Sequence, residues 1–201
     1  MNTPQLSSLR NLQVEAARLQ DENHLLREEL DALRTSLRAL GQLGQVTARI
    51  TPAVDARELV REILRSALAV IKASEGSLLL QDDESGELVF AMVIAEDDRA
   101  RGLMGYRLPA GMGIAGWVAE HRAAQVVRDV RLDYRFYPLV DEAFDYRTRS
   151  LVAVPLVVQE RVIGVIEVVN KVSDQDFSED DLDLLTIVAQ LASIALARAD
   201  A

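Results

Sequence analysis

A single carboxylate lies inside one of the most apolar stretches of the chain. Glu167 occupies the run Val162–Val169, in which all seven remaining residues are aliphatic or glycine. Side chains alternate between the two faces of a strand, so Glu167 should share a face with Val165 and Val169 and not with Ile166. A buried carboxylate without a partner is costly. Either this face is solvated, or the carboxylate accepts hydrogen bonds from a ligand.

A glycine run offers a second candidate site. Gly111, Gly113 and Gly116 match the G-x-G-x-x-G spacing of dinucleotide-binding folds, and Asp129 follows where a ribose-binding acid could stand. That fingerprint needs a buried strand leading in and a long helix leading out, whereas Pro109 interrupts the approach. We therefore interpret the glycines as points of close backbone approach, where N–H groups at a helix start could hold an anion.

Groups for catalysis or metal binding are few. The chain has no cysteine and two histidines, which excludes thiolate catalysis, disulfides and Cys-ligated zinc. No Ser-His-Asp arrangement is legible, and the acidic residues 179–181 are typical of a helix N-terminus. We predict that the protein is not an enzyme and has no metal site. Haem ligation by His121 is an alternative.

Charge and hydropathy limit the partners. The 201 residues carry a net charge of −10 and are 49% hydrophobic, which fits one domain with a true core plus an extension. An acidic surface repels phosphate backbones, so we expect no nucleic-acid partner. We recognise no signal-peptide core and no apolar run of bilayer-spanning length. We expect a cytoplasmic protein without membrane contact.

Residues 1–50 carry a heptad repeat. A lone Asn at an a position, here Asn23, fixes register and favours two parallel strands. Glu22 and Glu29 at g positions would meet Arg27 and Arg34 at e positions across such a seam. We predict a long coiled-coil helix that forms a parallel homodimer; the alternative is an amphipathic helix that lies on its own domain. The predicted seam comprises Leu12, Leu19, Asn23, Leu26, Leu30, Leu33, Leu37 and Leu40.

Residues 51–201 are predicted to form one α+β domain, an antiparallel sheet with helices on its faces. Helical spacing predicts helices over 55–73 and 113–122 and from the capping residue Ser178 to the C-terminal end. The segment 131–149 is irregular and contains at most one helix. Apolar runs bounded by turn residues predict strands at 77–81, 88–94, 106–108, 124–128, 151–158 and 162–169.

Four stretches, in this order, resemble the GAF domain family: residues 76–80, 108–117, 150–155 and 162–171. The resemblance covers Leu59 to Leu196 and implies a GAF-like fold preceded by the coiled coil, acting as a small-molecule sensor and dimerisation module. A narrower resemblance, to the GAF domains of cyclic-nucleotide phosphodiesterases and related cyclases, rests on Asn170-Lys171, Phe177 and Asp181. In that family the Lys and Asp form an ion pair that closes over the ligand, and the resemblance implies this role for Lys171 and Asp181.

The resemblance also implies a ligand and a pocket. Phe90 could stack on a purine, Glu167 could accept from a base N–H, and backbone N–H groups at 114 and 115 could hold a cyclic phosphate. Cyclic AMP and cyclic GMP are the candidate ligands, and a downstream signalling protein is the expected target. The alternatives are a ligand-free scaffold for dimerisation and protein interaction, and the haem sensor. The implied pocket residues are Ser77, Phe90, Ile114, Ala115, Tyr137, Asp141, Thr148 and Glu167.

Overall fold

The computed structural model describes residues 18, 56–95, 102–172 and 175–199. The chain divides into two compact units, residues 1–41 and 42–201. Arg18 is helical and exposed, and the other described residues belong to the second unit. The predicted coiled-coil seam and the domain boundary after residue 50 lie outside the described residues and stay predictions.

The second unit combines helices with one antiparallel sheet. Strands β1 and β6 are central, and the sheet order is β3-β2-β1-β6-β5-β4. This confirms the predicted α+β class, an antiparallel sheet with helices on its faces. In chain order the elements are α1 (Ala56–Ile71), β1 (Ala73–Gln81), β2 (Leu88–Ile94), β3 (Arg107–Leu108), α2 (Gly113–His121), β4 (Gln125–Val127), a 3-10 turn (Val130–Leu132), α3 (Leu139–Ala143), β5 (Leu151–Val158), β6 (Arg161–Lys171) and α4 (Glu179–Ala199).

Helices α1 and α4 cover one face of the sheet. Their apolar residues recur at helical spacing, and this stripe packs on Ile166 and Val168 of β6. By length and hydropathy alone α4 could cross a membrane, which the sequence reasoning overlooked. Leu185 and Val188 of α4 are instead buried in this core, where the packing of its apolar stripe accounts for its hydropathy.

The other face of the sheet is covered by α2 and by residues 130–149, called here the covering segment. Its core contains Phe90, Leu108, Ile114 and Val165. The glycine run lies here: a Cβ on Gly116 would be 2.5 Å from the carbonyl carbon of Gly111. This confirms that the glycines permit close backbone approach. Because α2 has nine residues and follows a two-residue antiparallel strand, it lacks the dinucleotide-binding geometry.

Candidate functional site

Two adjoining cavities lie between the sheet and its second helical layer. Each has a volume of about 70 Å³. The α2 cavity reaches the start of α2, and the β1 cavity reaches strand β1. They share the lining residues Phe90, Val140, Asp141, Thr148, Glu167 and Val169.

All eight predicted pocket residues line one or both of these cavities. Ser77 lines the β1 cavity only, and Ile114, Ala115 and Tyr137 line the α2 cavity only. The other four line both. Local structure thus brings together residues from β1, β2, α2, α3 and β6, although contact with a ligand stays a prediction.

Glu167 is the polar group at the centre of the site. In the sheet it lies between Ser77 of β1 and Ala153 of β5, on the same face as Val165 and Val169. Helix α2 and the covering segment pack over this face, so it is not fully open to solvent, and the role of a ligand acceptor for Glu167 stays a prediction. Glu167 is half-buried, and no hydrogen bond or ion pair reaches its carboxyl from the residues that the structure describes. Loss of hydration raises the pKa of Glu167 to about 7.

Ser77 adds a second polar group without a partner. Its side chain is buried, at 8% exposure, and it forms no hydrogen bond to another described residue. Residues directly opposite in an antiparallel pair have Cβ atoms about 5 Å apart. Ser77 and Glu167 are therefore neighbours at the wall of the β1 cavity.

Aromatic side chains form much of the remaining wall. Phe90 lines both cavities, while Phe144 and Tyr146 line the β1 cavity. Tyr106 packs between two of these rings, with centroids 6.4 Å from Phe90 and 5.4 Å, edge-on, from Phe144. Glu75, which the sequence reasoning missed, also lines the β1 cavity. Burial, and after it the hydrogen bond and negative charge of Glu75, raise the pKa of Tyr146.

Asp141 and Thr148 already have partners. Asp141 accepts hydrogen bonds from the Thr148 backbone N–H at 2.9 Å and from the Thr148 hydroxyl at 2.7 Å. The Arg131 guanidinium donates a third at 3.2 Å. These contacts hold the two ends of the covering segment together over the cavities. A ligand that bound either side chain would have to compete with them.

Asn170 is a structural residue whose contacts the sequence reasoning missed. Its side-chain oxygen accepts from the Arg149 N–H at 2.8 Å, and its nitrogen donates to the Tyr146 hydroxyl at 2.7 Å and the Arg147 carbonyl at 3.0 Å. Its φ of 55° is one that Asn tolerates better than most residues. Asn170 therefore anchors the end of the covering segment to β6.

The predicted Lys171–Asp181 ion pair is present, with 2.5 Å between Nζ and Oδ2 and side chains 11% and 12% exposed. Asp181 also accepts from the Ser178 N–H at 2.8 Å, and the Lys171 ammonium lies 5.8 Å from the Phe177 ring centroid. Phe177 belongs to the core on the α1 and α4 side. Neither partner lines the two cavities, so the pair joins β6 to α4, and a pocket-closing role stays a prediction.

The start of α2 provides backbone donors at the α2 cavity. Met112 at the N-cap makes no side-chain capping bond, and Gly113, Ile114 and Ala115 line the cavity. The first N–H groups of a helix have no partner within it. The described lining residues of the two cavities include no Lys, Arg or His, so an anion bound there would depend on these backbone N–H groups and on hydroxyl donors.

His121 lies away from the cavities. It is exposed, its ring stacks on Trp117 at 4.2 Å, and its Nδ1 is 3.0 Å from the Trp117 carbonyl oxygen. No group of three or more possible metal ligands is present among the described residues. His121 lines neither cavity, and haem ligation stays a prediction.

Comparison with known proteins identifies similar sequences. The GAF domain family matches residues 53–197. The cone cGMP-specific 3',5'-cyclic phosphodiesterase subunit alpha' of Mus musculus is 36% identical over 88 residues, 44% of this chain and 10% of that protein. The dual 3',5'-cyclic-AMP and -GMP phosphodiesterase 11A of Takifugu rubripes is 35% identical over 95 residues, 46% of this chain and 10% of that protein. The chain thus matches about a tenth of the length of these relatives.

Similar solved structures agree on the fold. The GAF domain of a phosphoenolpyruvate-protein phosphotransferase from Coxiella burnetii has a TM-score of 0.70 at 18% identity and covers 82% of this chain and 96% of its own. A free methionine-R-sulfoxide reductase from Neisseria meningitidis, solved with its substrate, has a TM-score of 0.67 at 22% identity and covers 82% and 90%. At these identities the likeness shows the fold alone.

Proposed function

The chain belongs to the GAF domain family, and from that premise we propose that it is a non-catalytic regulatory domain that binds a small molecule in the α2 and β1 cavities. The observation that carries the proposal is the carboxyl of Glu167, which faces the cavities without a hydrogen bond from the described residues. Buried polar groups are nearly always paired in folded proteins. A ligand that donates a hydrogen bond would complete this site.

A non-catalytic role agrees with the groups present. One similar fold is that of a reductase, but this chain contains no cysteine and therefore no thiol to exchange electrons with a sulfoxide. The described cavity walls provide carboxyls, hydroxyls and aromatic rings. Asp141 and Thr148 hold the covering segment, and the proposal assigns Glu167, Ser77 and Phe90 to binding.

Cyclic nucleotides are the ligands suggested by the relatives' names. A base N–H on Glu167, a ring against Phe90 and a cyclic phosphate at the start of α2 would use groups that line the α2 cavity. Ligand pockets usually have volumes of about 300–1,000 Å³, whereas each cavity has about 70 Å³. This form of the proposal therefore requires the covering segment to move outward, with loss of the bonds between Asp141 and Thr148.

Isothermal titration with cyclic AMP and cyclic GMP, together with a thermal-shift panel of small metabolites, tests the proposal. A ligand that binds only the folded state raises the apparent melting temperature. We expect a saturable shift that Glu167→Gln weakens and that the control Glu62→Gln, on the exposed side of α1, leaves unchanged. Absence of both heat and thermal shift across the panel would refute ligand sensing.

The second candidate is a ligand-free dimerisation scaffold. It is favoured by the small volume of the cavities and by the bonds from Asp141 that hold the covering segment closed. A melting temperature unmoved by the whole panel would support it. Such a protein would act through its protein partner alone.

Both candidates include the parallel homodimer through residues 1–50. In a parallel coiled coil both GAF domains lie at the same end of the helices. A change in the orientation of one GAF domain relative to the other can therefore be transmitted along the helix. That change requires a ligand with different affinities for two states. Sedimentation equilibrium at micromolar concentration should give a dimer; a monomer would contradict the predicted seam.

A further inference from the structure

The β1 cavity has a charge pattern that the cyclic-nucleotide hypothesis does not explain. Three carboxylates line it, from Glu75, Asp141 and Glu167, and its described lining includes no Lys, Arg or His. Arg131 offsets the charge of Asp141, and Glu75 bonds to Tyr146. Glu167 alone of the three has no bonded partner among the described residues. Its charge faces the cavity uncompensated when ionised.

A second polar atom points into the same place. Ser77 is 8% exposed, lines the β1 cavity and pairs across the strands with Glu167. Its hydroxyl oxygen has free lone pairs and can accept a hydrogen bond. Two acceptors on neighbouring strands, one of them anionic, suit a ligand with several N–H donors on a single charged atom. An ammonium group has three such donors.

The rest of the wall also favours a cation. Phe90, Phe144 and Tyr146 line the cavity, and Tyr106 packs between the rings of Phe90 and Phe144. Aromatic faces attract ammonium groups through their negative quadrupole, and a low-dielectric wall strengthens attraction to a carboxylate. The volume of about 70 Å³ admits a small group without displacement of the covering segment.

We propose that the β1 cavity binds the protonated amino group of a small aliphatic amine, held by Glu167 and Ser77 against the aromatic wall. The inference rests on the proposed function and specifies its ligand class. It favours an organic cation over the cyclic phosphate of a nucleotide, because an anion in this cavity would face the charge of Glu167. The backbone N–H groups at the start of α2, at the other end of the site, could bind a polar tail of such an amine.

Ethylammonium is the simplest probe, with acetate as its anionic counterpart and cyclic AMP as the nucleotide. A ligand with so few atoms binds with a Kd on the order of millimolar at best, so the titration uses thermal shift and isothermal calorimetry at constant ionic strength. At pH 8 we expect ethylammonium to raise the melting temperature with saturation. Acetate should have no saturable effect.

Variants locate the binding. Glu167→Gln keeps the shape and removes the charge, and should weaken ethylammonium binding at least tenfold, while Ser77→Ala should weaken it less. The exposed carboxylate of Glu62 offers the matched control Glu62→Gln, which should bind as the wild type does. Wild-type affinity at pH 6 should be about tenfold below that at pH 8, since Glu167 titrates with a pKa of about 7. The other titratable groups that face it are Glu75, Asp141, Tyr137 and Tyr146.

The outcomes separate this inference from the proposed function. Ethylammonium binding with wild-type affinity in Glu167→Gln would overturn the inference, as would stronger stabilisation by acetate. Saturable binding of cyclic AMP that is lost in Glu167→Gln, with no effect of ethylammonium, would also overturn it and leave the proposed function standing. Failure of ethylammonium in the wild type would overturn the inference, whereas the proposed function would fall only if cyclic AMP, cyclic GMP and the whole metabolite panel also failed to bind.

Discussion

Replacement of Glu167 by Gln should change how the stability of the domain depends on pH. The folded protein raises the pKa of Glu167 from 4.5 to about 7 because its surroundings hydrate the carboxylate poorly. Between these values the unfolded chain releases the proton and the folded chain keeps it. The free energy of unfolding therefore falls as pH rises through this window and levels off above pH 7. Glu167→Gln removes this contribution.

The magnitude follows from the size of the shift. Each unit of pKa corresponds to about 1.4 kcal/mol, so a shift from 4.5 to about 7 destabilises the wild type by about 3 kcal/mol above pH 7. The accessible window begins near pH 5.5, because the pI is 4.7 and solubility is lowest there. From pH 5.5 to 8 the stability of the wild type relative to Glu167→Gln should fall by about 2 kcal/mol.

Urea unfolding of the wild type and Glu167→Gln, at the same protein concentration and across this pH range, measures the difference directly. Subtraction of the two free energies of unfolding at each pH cancels the titration of all other groups. Glu62→Gln, in which an exposed carboxylate is lost, should follow the wild type at every pH. A difference between wild type and Glu167→Gln that stays constant from pH 5.5 to 8, or that moves in favour of the wild type, would refute the account of Glu167 as an unpartnered, desolvated carboxylate.

Three further substitutions test the contacts around the site, each by urea unfolding. Lys171→Met leaves Asp181 mostly buried without its cation and should cost about 3 kcal/mol; adding Asp181→Asn should restore most of this, and no recovery would contradict the pairing. Asn170→Ala should be about 1 kcal/mol less stable than Asn170→Gly, because only glycine accepts a φ of 55° freely; equal stabilities would argue against strain. Asp141→Asn should cost about 2 kcal/mol through its bonds to Thr148 and speed proteolysis within residues 130–149; an unchanged cleavage rate would show that these bonds do not hold the covering segment.

Much of the architecture was predictable because it follows from local patterns. The apolar spacing of 55–73 predicted α1, which ends at Ile71 where Lys72 adopts a φ of 58°. The hairpins and the final helix were also predicted, since turn residues and caps act on their own neighbourhood. Strand β1 begins at Ala73, four residues before the predicted start at Ser77. Its polar first residues are held by pairing with β6, which no local pattern encodes.

The pocket residues were predicted through the family resemblance, but their states were not. Whether Glu167 was solvated or enclosed depended on what covers its face, and the covering segment has little regular structure to predict. The bonds from Asp141 to Thr148 span seven residues of that irregular segment. The contribution of Glu75 to the β1 cavity depends on the early start of β1 and was missed for the same reason.

The alternation of residues 162–169 was by itself enough to place Glu167 and Ile166 on opposite faces of a strand, because side-chain direction in a strand follows from backbone geometry alone. By contrast, Lys171 and Asp181 were predicted to be partners only through the resemblance to a family. Tertiary structure decided that Glu167 lies opposite Ser77, without a partner among the described residues, and that Lys171 turns to α4. The register between strands β1 and β6 places Glu167 opposite Ser77. Asn170 has a left-handed backbone, fixed by its bonds to the covering segment. This conformation interrupts the alternation of side chains along β6, and Lys171 therefore turns to α4.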